Sequence, residues 1–348
     1  MTPRVRIHLC TYQRNQMLRR AMDSLLAQSY PHWICELHND DPNDPVPDAL
    51  VRDIGDPRII ACTHTKNLGA TASFNLLYQG NYQEDYLTLL EDDNWWEPEF
   101  LKKMVSVMDL NPEVDLAWAN MRCWHEQLDG GWTDTGTHIW NVPQGDPILL
   151  NWLQPLQITD ALHSNGAMLV RNSGSTEHVI PAETPFDIVE PVRERSFRHP
   201  ILFVPEVLGN YSFTLKTARS NQTQVWADSQ LLLTASLFRQ KQLALSEVAS
   251  LWNVRRSVVP RGTHLLLLAT LLSARLDLLQ LCDARDVLLL LRSCLAHPLL
   301  TWRLVLVTQR YPKLWEHLCR YAQIRFSEQG KSSSIFQVTN KHSPFHIR

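Results

Sequence analysis

Short apolar runs alternate with segments of helical periodicity over residues 4–110, and this alternation constrains the fold more than any other feature of the sequence. The apolar runs, at residues 4–10, 33–38, 58–62 and 86–90, predict strands. Apolar residues at helical spacing predict helices over residues 16–28, 70–79 and 98–110, and a polar, proline-rich loop is predicted over residues 39–48. Repeats of this length are typical of a mainly parallel sheet with helices on both faces. The predicted fold class is therefore α/β and Rossmann-like.

The character of the sequence changes after about residue 215. Before it, further strands are predicted at residues 114–118, 167–170 and 201–204, with a hairpin turn at Asp129-Gly130-Gly131. After it, residues 226–325 are rich in Leu, Ala and Arg at helical spacing. The predicted organisation is an α/β domain over residues 1–215, an α-helical domain over 216–326 and a flexible tail over 327–348.

Composition excludes several classes of protein. Hydrophobic residues at 44% and charged residues at 20% are ordinary for a globular chain that buries a full core. A formal net charge of −3 gives no electrostatic case for nucleic-acid binding. The seven cysteines include no CxxC pair, and the longest apolar tract, residues 265–282, is interrupted by Arg275 and Asp277. These features predict a soluble, cytoplasmic protein with reduced cysteines.

Three consecutive acids follow directly after the fourth predicted strand. Neighbouring carboxylates at Glu91, Asp92 and Asp93 repel each other and need a counter-charge. A divalent cation with a preference for hard oxygen ligands, Mg²⁺ or Mn²⁺, would supply it. The alternative is a solvated acidic turn. Polar segments at residues 11–14 and 39–44 also follow strands, and ligands of parallel sheets bind beyond the carboxyl ends of the strands. We therefore expect the three polar segments to meet at one edge of the sheet.

Five segments in order resemble glycosyltransferase family 2, the inverting nucleotide-sugar transferases of GT-A fold. They are Cys10-Thr11-Tyr12-Gln13-Arg14, the run from Leu26 to Trp33, the run from His38 to Asp44, Asn67-Leu68-Gly69 with Asn75, and the run from Leu90 to Pro98. The resemblance is strongest over residues 7–100, extends more loosely to about residue 215, and does not cover the helical C-terminal part.

This resemblance implies a metal-dependent glycosyltransferase that moves a sugar from a nucleotide-sugar donor, most commonly a UDP-sugar, to a hydroxyl acceptor with inversion. The implied cofactor is Mn²⁺ or Mg²⁺, which acts as a Lewis acid on the leaving diphosphate. Asp93 would be the direct metal ligand, and Glu91 a second one, although the family usually has Asp at that position. Asp92 would lie near the ribose or the sugar. The acceptor is left open among a carbohydrate, a lipid-linked molecule and a protein.

Nine further residues receive a donor-binding role from the same resemblance: Thr11, Tyr12, Arg14, Asn39, Asp40, Asp41, Asn67, Gly69 and Asn75. Tyr12 would stack on the base, and Asp40, or its neighbour Asn39 or Asp41, would bond the base edge. Other interpretations stay open, namely that Tyr12 is a core aromatic, that Arg14 is a solvated charge and that Asn75 makes a structural hydrogen bond.

The general base of an inverting transfer is a carboxylate within hydrogen-bond reach of the acceptor hydroxyl. The run from Phe203 to Leu208 resembles a family strand that follows this base. Counting back from it assigns the base to Asp187, with Glu190 and then Glu183 as alternatives.

Two other functions are compatible with acids at a sheet edge: a nucleotidyltransferase that makes nucleotide sugars, and a degenerate GT-A domain that serves as a binding module or scaffold. The C-terminal helices have three interpretations. They pack on the catalytic domain, form a homodimer interface, or lie on a membrane surface to which the protein binds peripherally.

Overall fold

A ten-stranded mixed sheet forms the centre of the molecule, in a computed structural model that describes residues 5–216, 222–258 and 265–328, with backbone only for 254–258. The strands are β1 (Val5–Thr11), β2 (Trp33–Asn39), β3 (Ile59–Thr63), β4 (Tyr86–Glu91), β5 (Trp95–Trp96), β6 (Leu116–Glu126), β7 (Trp132–His138), β8 (Ile148–Leu150), β9 (Met168–Arg171) and β10 (Ile201–Phe213). The helices of the α/β region are α1 (Asn15–Leu26), α2 (Val46–Ile54), α3 (Ala70–Leu76), α4 (Phe100–Leu110) and α5 (Val189–Glu194).

The strand order is β3-β2-β1-β4-β9-β6-β10-β5, with β7 paired to β6 and β8 to β10. The block β3-β2-β1-β4 is parallel throughout, and β10 runs parallel to β6. The strand β9 is antiparallel to both of its neighbours. Buried apolar residues such as Ile7, Leu9 and Leu37 lie on both faces of this block, as expected for parallel strands between helices. The α/β, GT-A-like fold class with a helical C-terminal region is confirmed.

The register of the parallel block brings three strand ends together. Thr11 at the end of β1 pairs with Asn39 at the end of β2, and Cys10 pairs with Glu91 at the end of β4. The polar segments that follow these strands therefore leave the sheet side by side. This confirms the expectation that they meet at one edge.

The predicted loop over residues 39–48 is wrong at its end, because α2 begins at Val46. Pro47 lies in the first turn, where a missing N–H costs no hydrogen bond, and Asp48 follows where a negative charge suits the helix dipole. The helix ends at Gly55, whose φ of 64° is the left-handed conformation favoured by glycine. Pro47, which contributed to the prediction of a loop, lies instead in the first turn of a helix.

The C-terminal region is helical throughout its described residues. Its helices are α6 (Thr223–Phe238), α7 (Leu245–Val258), α8 (Leu265–Ser273), α9 (Ala284–Ala296), α10 (Pro298–Val305), α11 (Val307–Arg310) and α12 (Pro312–Glu328). The predicted tail lies outside the described residues from 329 onwards, and the predicted boundary at residue 215 lies next to the undescribed segment 217–221.

The helices α6 and α12 pack on the α/β region. Every residue of α6 from Asp228 to Phe238 is buried. Arg195, after α5, is buried and donates to Ser236 Oγ at 2.7 Å. The Tyr321 hydroxyl of α12 donates to the Glu177 carbonyl at 2.8 Å. Packing on the α/β region is thus one role of the C-terminal helices.

Among the described residues, no helix by itself is long and apolar enough to cross a membrane. Taken together, α9 and α10 reach the required length and composition, but they are bent by 118° at the break between them.

Candidate active site at the edge of the parallel strands

Asp92 is the centre of the polar edge, because hydrogen bonds from the neighbouring strand end converge on it. The Thr11 hydroxyl donates to Asp92 Oδ2 at 2.8 Å, and the Tyr12 backbone N–H donates to the same oxygen at 3.3 Å. Asp92 is 5% exposed. These bonds hold the turn after β4 against the end of β1.

Arg14 bridges the two aspartates of the turn. Its Nη1 lies 2.5 Å from Asp93 Oδ2 and 3.4 Å from Asp92 Oδ1, while Nη2 donates to the Lys216 carbonyl at 2.7 Å. Gln13, with a φ of 55°, turns the chain between the end of β1 and the start of α1. This turn places Arg14 over the acids, so it is not the solvated loop charge of the alternative interpretation.

The two aspartates hold more negative charge than their protein partners offset. Burial and repulsion from Asp93 raise the pKa of Asp92 to about 7, against the opposing effects of Arg14 and Thr11. Burial likewise raises the pKa of Asp93. Two carboxylates share the Arg14 guanidinium, so a second positive charge would stabilise their ionised forms. Their hard oxygen donors suit Mg²⁺ or Mn²⁺, which makes Asp92 and Asp93 the residues that fit a divalent cation.

Glu91 faces another part of the site. Its Oε2 accepts a hydrogen bond from Asn94 Nδ2 at 2.7 Å. A Cβ added to Gly166 would lie 3.2 Å from that oxygen and 2.9 Å from Asn94 Nδ2. Gly166 therefore allows the backbone to approach Glu91 and Asn94 closely. Direct metal ligation by Glu91 stays a prediction.

Tyr12 directly follows β1, and its backbone N–H bonds Asp92. The residue is 47% exposed, so the alternative interpretation as a core aromatic is wrong. An exposed ring on this residue is available for stacking on a nucleobase.

The segment after β2 shapes the opposite wall of the site. Asp40, 5% exposed, accepts the backbone N–H of Leu68 at 2.7 Å and that of Gly69 at 2.9 Å. His64 Nδ1 lies 2.9 Å from Asp40 Oδ1. Asp40 thus anchors the loop that carries the exposed Asn67, and Gly69 has a φ of 79° there, which favours glycine.

The two neighbours of Asp40 differ in access. Asn39 is 1% exposed, donates to the Asp44 carbonyl at 2.8 Å and accepts the Asp41 N–H. The Asp41 carboxylate accepts from Gln13 Nε2 at 2.7 Å beside the site mouth. Of the three predicted acceptors for the base edge, Asp41 is the most accessible.

Asn75, a predicted donor ligand, is 4% exposed and holds a loop on the far side of α3. Its side-chain amide exchanges two hydrogen bonds with the backbone of Ile180, at 2.8 and 3.1 Å, and accepts from Arg193 at 3.0 Å. These contacts match the structural alternative. The donor-binding role of Asn75 stays a prediction.

The candidate bases lie on one segment around α5. Asp187 is 9% exposed in the 3₁₀ turn Phe186–Ile188. Glu190 Oε1 accepts the Asn165 N–H at 2.9 Å, next to Gly166. Glu183 accepts the Leu314 N–H at 2.8 Å and so anchors α12. Nothing in these contacts distinguishes Asp187 from Glu190.

Arg20 is a site residue that the sequence reasoning missed. Its Nη2 donates to the Asp93 carbonyl at 2.8 Å. Its guanidinium lies between two rings, 3.7 Å from the centre of Trp95 and 4.0 Å from that of Trp132. Burial lowers the pKa of Arg20 to about 10, which leaves it cationic at neutral pH. The helical spacing of residues 16–28 gave no signal that this charge faces the acids.

A second missed element is the buried pair Glu194 and His163. Glu194 Oε2 lies 2.6 Å from His163 Nδ1 and accepts the N–H groups of Leu162 and His163, both at 2.8 Å. Burial disfavours the charged carboxylate, but the bonds from His163 and Gln157 outweigh it and lower the pKa of Glu194 to about 2. This hydrogen-bond network fixes the segment that leads into Asn165 and Gly166.

The sequence profile described as Glycosyl transferase family 2 matches residues 7–148. No protein of curated function matches the sequence. The fold is similar to that of S. aureus TarS: the TM-score is 0.52 at 12% identity, over 91% of this chain and 55% of the TarS chain. This chain thus spans about half the length of that protein. Structures of TarS 1–349 in complex with UDP-GlcNAc (TM-score 0.52, 11% identity, 93% of this chain and 92% of that one) and with UDP (0.52, 12%, 98% and 98%) are similar over nearly their whole length.

Proposed function

We propose that the chain is a glycosyltransferase, which the profile match over residues 7–148 supports, and that its donor is a nucleotide sugar bound at the edge formed by Tyr12, Asp92 and Asp93. The observation that carries this proposal is the buried aspartate pair with its raised pKa beside an exposed aromatic ring. A nucleoside diphosphate needs both a flat apolar surface and concentrated positive charge. The fold similarity to a protein crystallised with UDP and UDP-GlcNAc supports a UDP-sugar.

In this proposal Asp93 holds a divalent cation, Mn²⁺ or Mg²⁺, with Asp92 beside it. When bound, the cation supplies Lewis-acid stabilisation of the negative charge that develops on the leaving diphosphate. Tyr12 stacks on the base, and Asp41 accepts a hydrogen bond from its edge. Arg14 and Arg20 are cations beside Asp93, and they would stabilise the developing negative charge.

We further propose an inverting displacement in which Asp187 takes the proton of the acceptor hydroxyl while that oxygen attacks the anomeric carbon, and the bond from this carbon to the diphosphate oxygen breaks to release the nucleoside diphosphate. Glu190 is the alternative base. Its contact with Asn165 places it next to Gly166, on the side of the sheet edge where Glu91 and Asn94 lie. A base contributes ~10²–10⁴-fold to such a reaction.

The test is binding and hydrolysis of UDP- and GDP-sugars by the purified chain, with and without Mn²⁺. We expect Mn²⁺-dependent UDP binding and slow hydrolysis of a UDP-sugar, both lost in Asp93→Asn. The matched control is Asp23→Asn, which removes an exposed aspartate paired with Arg19 on α1. Absence of nucleotide binding under all conditions would contradict the proposal, and binding without hydrolysis or transfer would favour a binding module instead.

A further inference from the structure

Three polar side chains lie side by side in the middle of the parallel block, away from the aspartate pair. His8 on β1 is paired in register with Glu36 on β2, and His38 follows two residues later on the same face of β2. Strands that are buried between helices are ordinarily apolar at such positions. His8 is fully buried, His38 is 7% exposed, and the Glu36 side chain is 20% exposed.

The distances among these side chains match those of a metal site. Glu36 Oε2 lies 2.9 Å from His8 Nε2 and 3.4 Å from His38 Nε2, and the three atoms lie within 4.8 Å of one another. Ligands of a tetrahedral zinc ion at about 2.0–2.1 Å stand roughly 3.3 Å apart, and two histidines with one glutamate are an established zinc set. The Tyr82 hydroxyl, 3.0 Å from His8 Nε2, is an oxygen at the edge of this triangle.

Arg6 contacts two carboxylates beside the cluster. Its Nη2 donates to both carboxylate oxygens of Glu84, at 3.2 and 3.1 Å. Its Nη1 donates to Glu36 Oε1 at 2.8 Å, and so leaves Glu36 Oε2 facing the two histidines. His38 Nε2 is buried and makes no hydrogen bond within the described residues.

A metal ion at His38 Nε2 would fix the proton positions in the hydrogen bonds that connect His38 through His64 to Asp40. His38 Nδ1 lies 3.1 Å from His64 Nε2, and His64 Nδ1 lies 2.9 Å from Asp40. With Nε2 of His38 on the metal, its Nδ1–H donates to His64, whose own Nδ1–H donates to Asp40. Such outer contacts orient metal-bound histidines.

We propose that His8, Glu36 and His38 bind one Zn²⁺ ion, at a site distinct from the aspartate pair, and that His64 and Asp40 connect this ion to the loop at Leu68 and Gly69. The ligand set favours zinc over Mg²⁺ or Mn²⁺, because imidazole suits zinc whereas carboxylate and water suit the harder ions. The ion would then hold together β1, β2 and the wall of the donor site.

The test is titration of the chelator-treated full chain with Zn²⁺ and with Co²⁺, whose visible absorption is intense when the ion is four-coordinate. We expect one ion per chain to give this absorption, apart from any ion at the aspartate pair. This ion should bind at least about 100-fold more weakly in Glu36→Gln and His38→Gln, and about 10–100-fold more weakly in His64→Ala, which keeps all three ligands. Asp93→Asn, which alters the other site, should leave the Co²⁺ spectrum unchanged. Circular dichroism identifies any of these three ligand-region variants that does not fold. The proposal is then tested with the two variants that do fold.

Two results would overturn the proposal: no stoichiometric Co²⁺ or Zn²⁺ in the wild-type chain, or binding that is lost in Asp93→Asn but kept in Glu36→Gln. The readouts need no nucleotide, so they are independent of the proposed glycosyl transfer.

The helices α9 and α10, which meet at a bend, carry exposed apolar side chains on their outer surface. We call this surface the α9–α10 face. Leu288 is 66% exposed, Leu295 86%, Leu299 83% and Trp302 63%. The other members of the face are Val287, Leu291, Leu300 and Val305. Many exposed apolar side chains on two consecutive helices indicate an interaction site.

The charge pattern indicates what covers this face. Residues 287–315 include Arg292, Arg303, Arg310 and Lys313 but neither Asp nor Glu. Arg303 and Arg310 share the buried Asp228. A second copy related by a twofold axis would oppose one positive surface to another. A membrane surface with anionic lipids instead attracts the net positive charge of this segment, and tryptophan favours that interface.

We infer that the α9–α10 face lies on an anionic lipid surface. In vesicle flotation, the wild-type chain should bind vesicles with phosphatidylglycerol more than pure phosphatidylcholine vesicles, and Leu295→Glu with Leu299→Glu should abolish binding. The control Leu128→Glu changes a residue that is 95% exposed on the β6–β7 turn. No flotation, or a concentration-dependent dimer that the double variant disrupts, would overturn the inference.

Discussion

Replacement of Asp92 by Asn should change how stability depends on pH more than it changes stability itself. The ordinary pKa of this carboxyl is 3.8, and burial with repulsion from Asp93 raises it to about 7. Between these values the native state binds a proton that the unfolded state has released. Stability therefore falls as pH rises through this window, by ~1.4 kcal/mol per pH unit.

The magnitude follows from the window. From about pH 4.5 to pH 7, ionisation of Asp92 destabilises the wild-type chain by about 3 kcal/mol relative to a variant without the charge. Asn keeps an oxygen that accepts from Thr11 and Tyr12, and Arg14 keeps its contact with Asp93. We expect Asp92→Asn to become more stable relative to wild type by about 3 kcal/mol across this range, and to change little above it.

The assay is urea denaturation of both chains without divalent cation at several pH values, compared as a difference so that other titrating groups cancel. The control Asp23→Asn should show a flat difference, because Asp23 is exposed. A flat difference for Asp92→Asn as well, or one of opposite sign, would refute the argument that burial and Asp93 leave this carboxylate short of counter-charge.

Three further predictions address other parts of the site. Tyr12→Ala should weaken UDP binding about 5–150-fold, from a stacking energy of ~1–3 kcal/mol, whereas Tyr12→Phe should bind like wild type in calorimetry. Asp187→Asn should lower kcat by ~10²–10⁴-fold with unchanged UDP affinity; if Glu190→Gln alone does so, the base is Glu190. Gly166→Ala should destabilise the chain by ~1–3 kcal/mol in thermal unfolding, because its Cβ would lie 2.9 Å from Asn94 Nδ2, and an unchanged Tm would contradict that packing.

Local pattern predicted the parts of the fold that depend on burial along a strand. The strands at residues 33–38 and 86–90 were predicted within one residue of β2 and β4, because their apolar runs are buried between helices. Two short strands, β5 and β8, escaped prediction. They exist through pairing with β10, and no local pattern of two or three residues specifies a partner that distant in sequence.

The candidate site was also predicted only in part from the sequence. The sequence predicted that polar residues follow β1, β2 and β4, and the parallel register brings these residues together. The sequence did not predict the direction in which each side chain points. Asp40 anchors Leu68 and Gly69, whereas its neighbour Asp41 reaches the mouth of the site. Which of these adjacent carboxylates faces a ligand depends on how the following loop turns, and that is set by tertiary contacts.

The balance of charge links donor and metal in the proposed function. The site carries three acids, at residues 91–93, against the two guanidiniums of Arg14 and Arg20, so when the acids are ionised the site by itself is short of positive charge. A divalent cation alone would make the site positive, and a nucleotide-sugar diphosphate alone would make it more negative. The charges of the two ligands offset each other, so each strengthens binding of the other, and by linkage the effect is reciprocal. Because Arg14 already contacts both aspartates, a cation that binds there must share or displace it. The displaced guanidinium, still attached at the start of α1, is then free to contact the diphosphate that the cation brings with it.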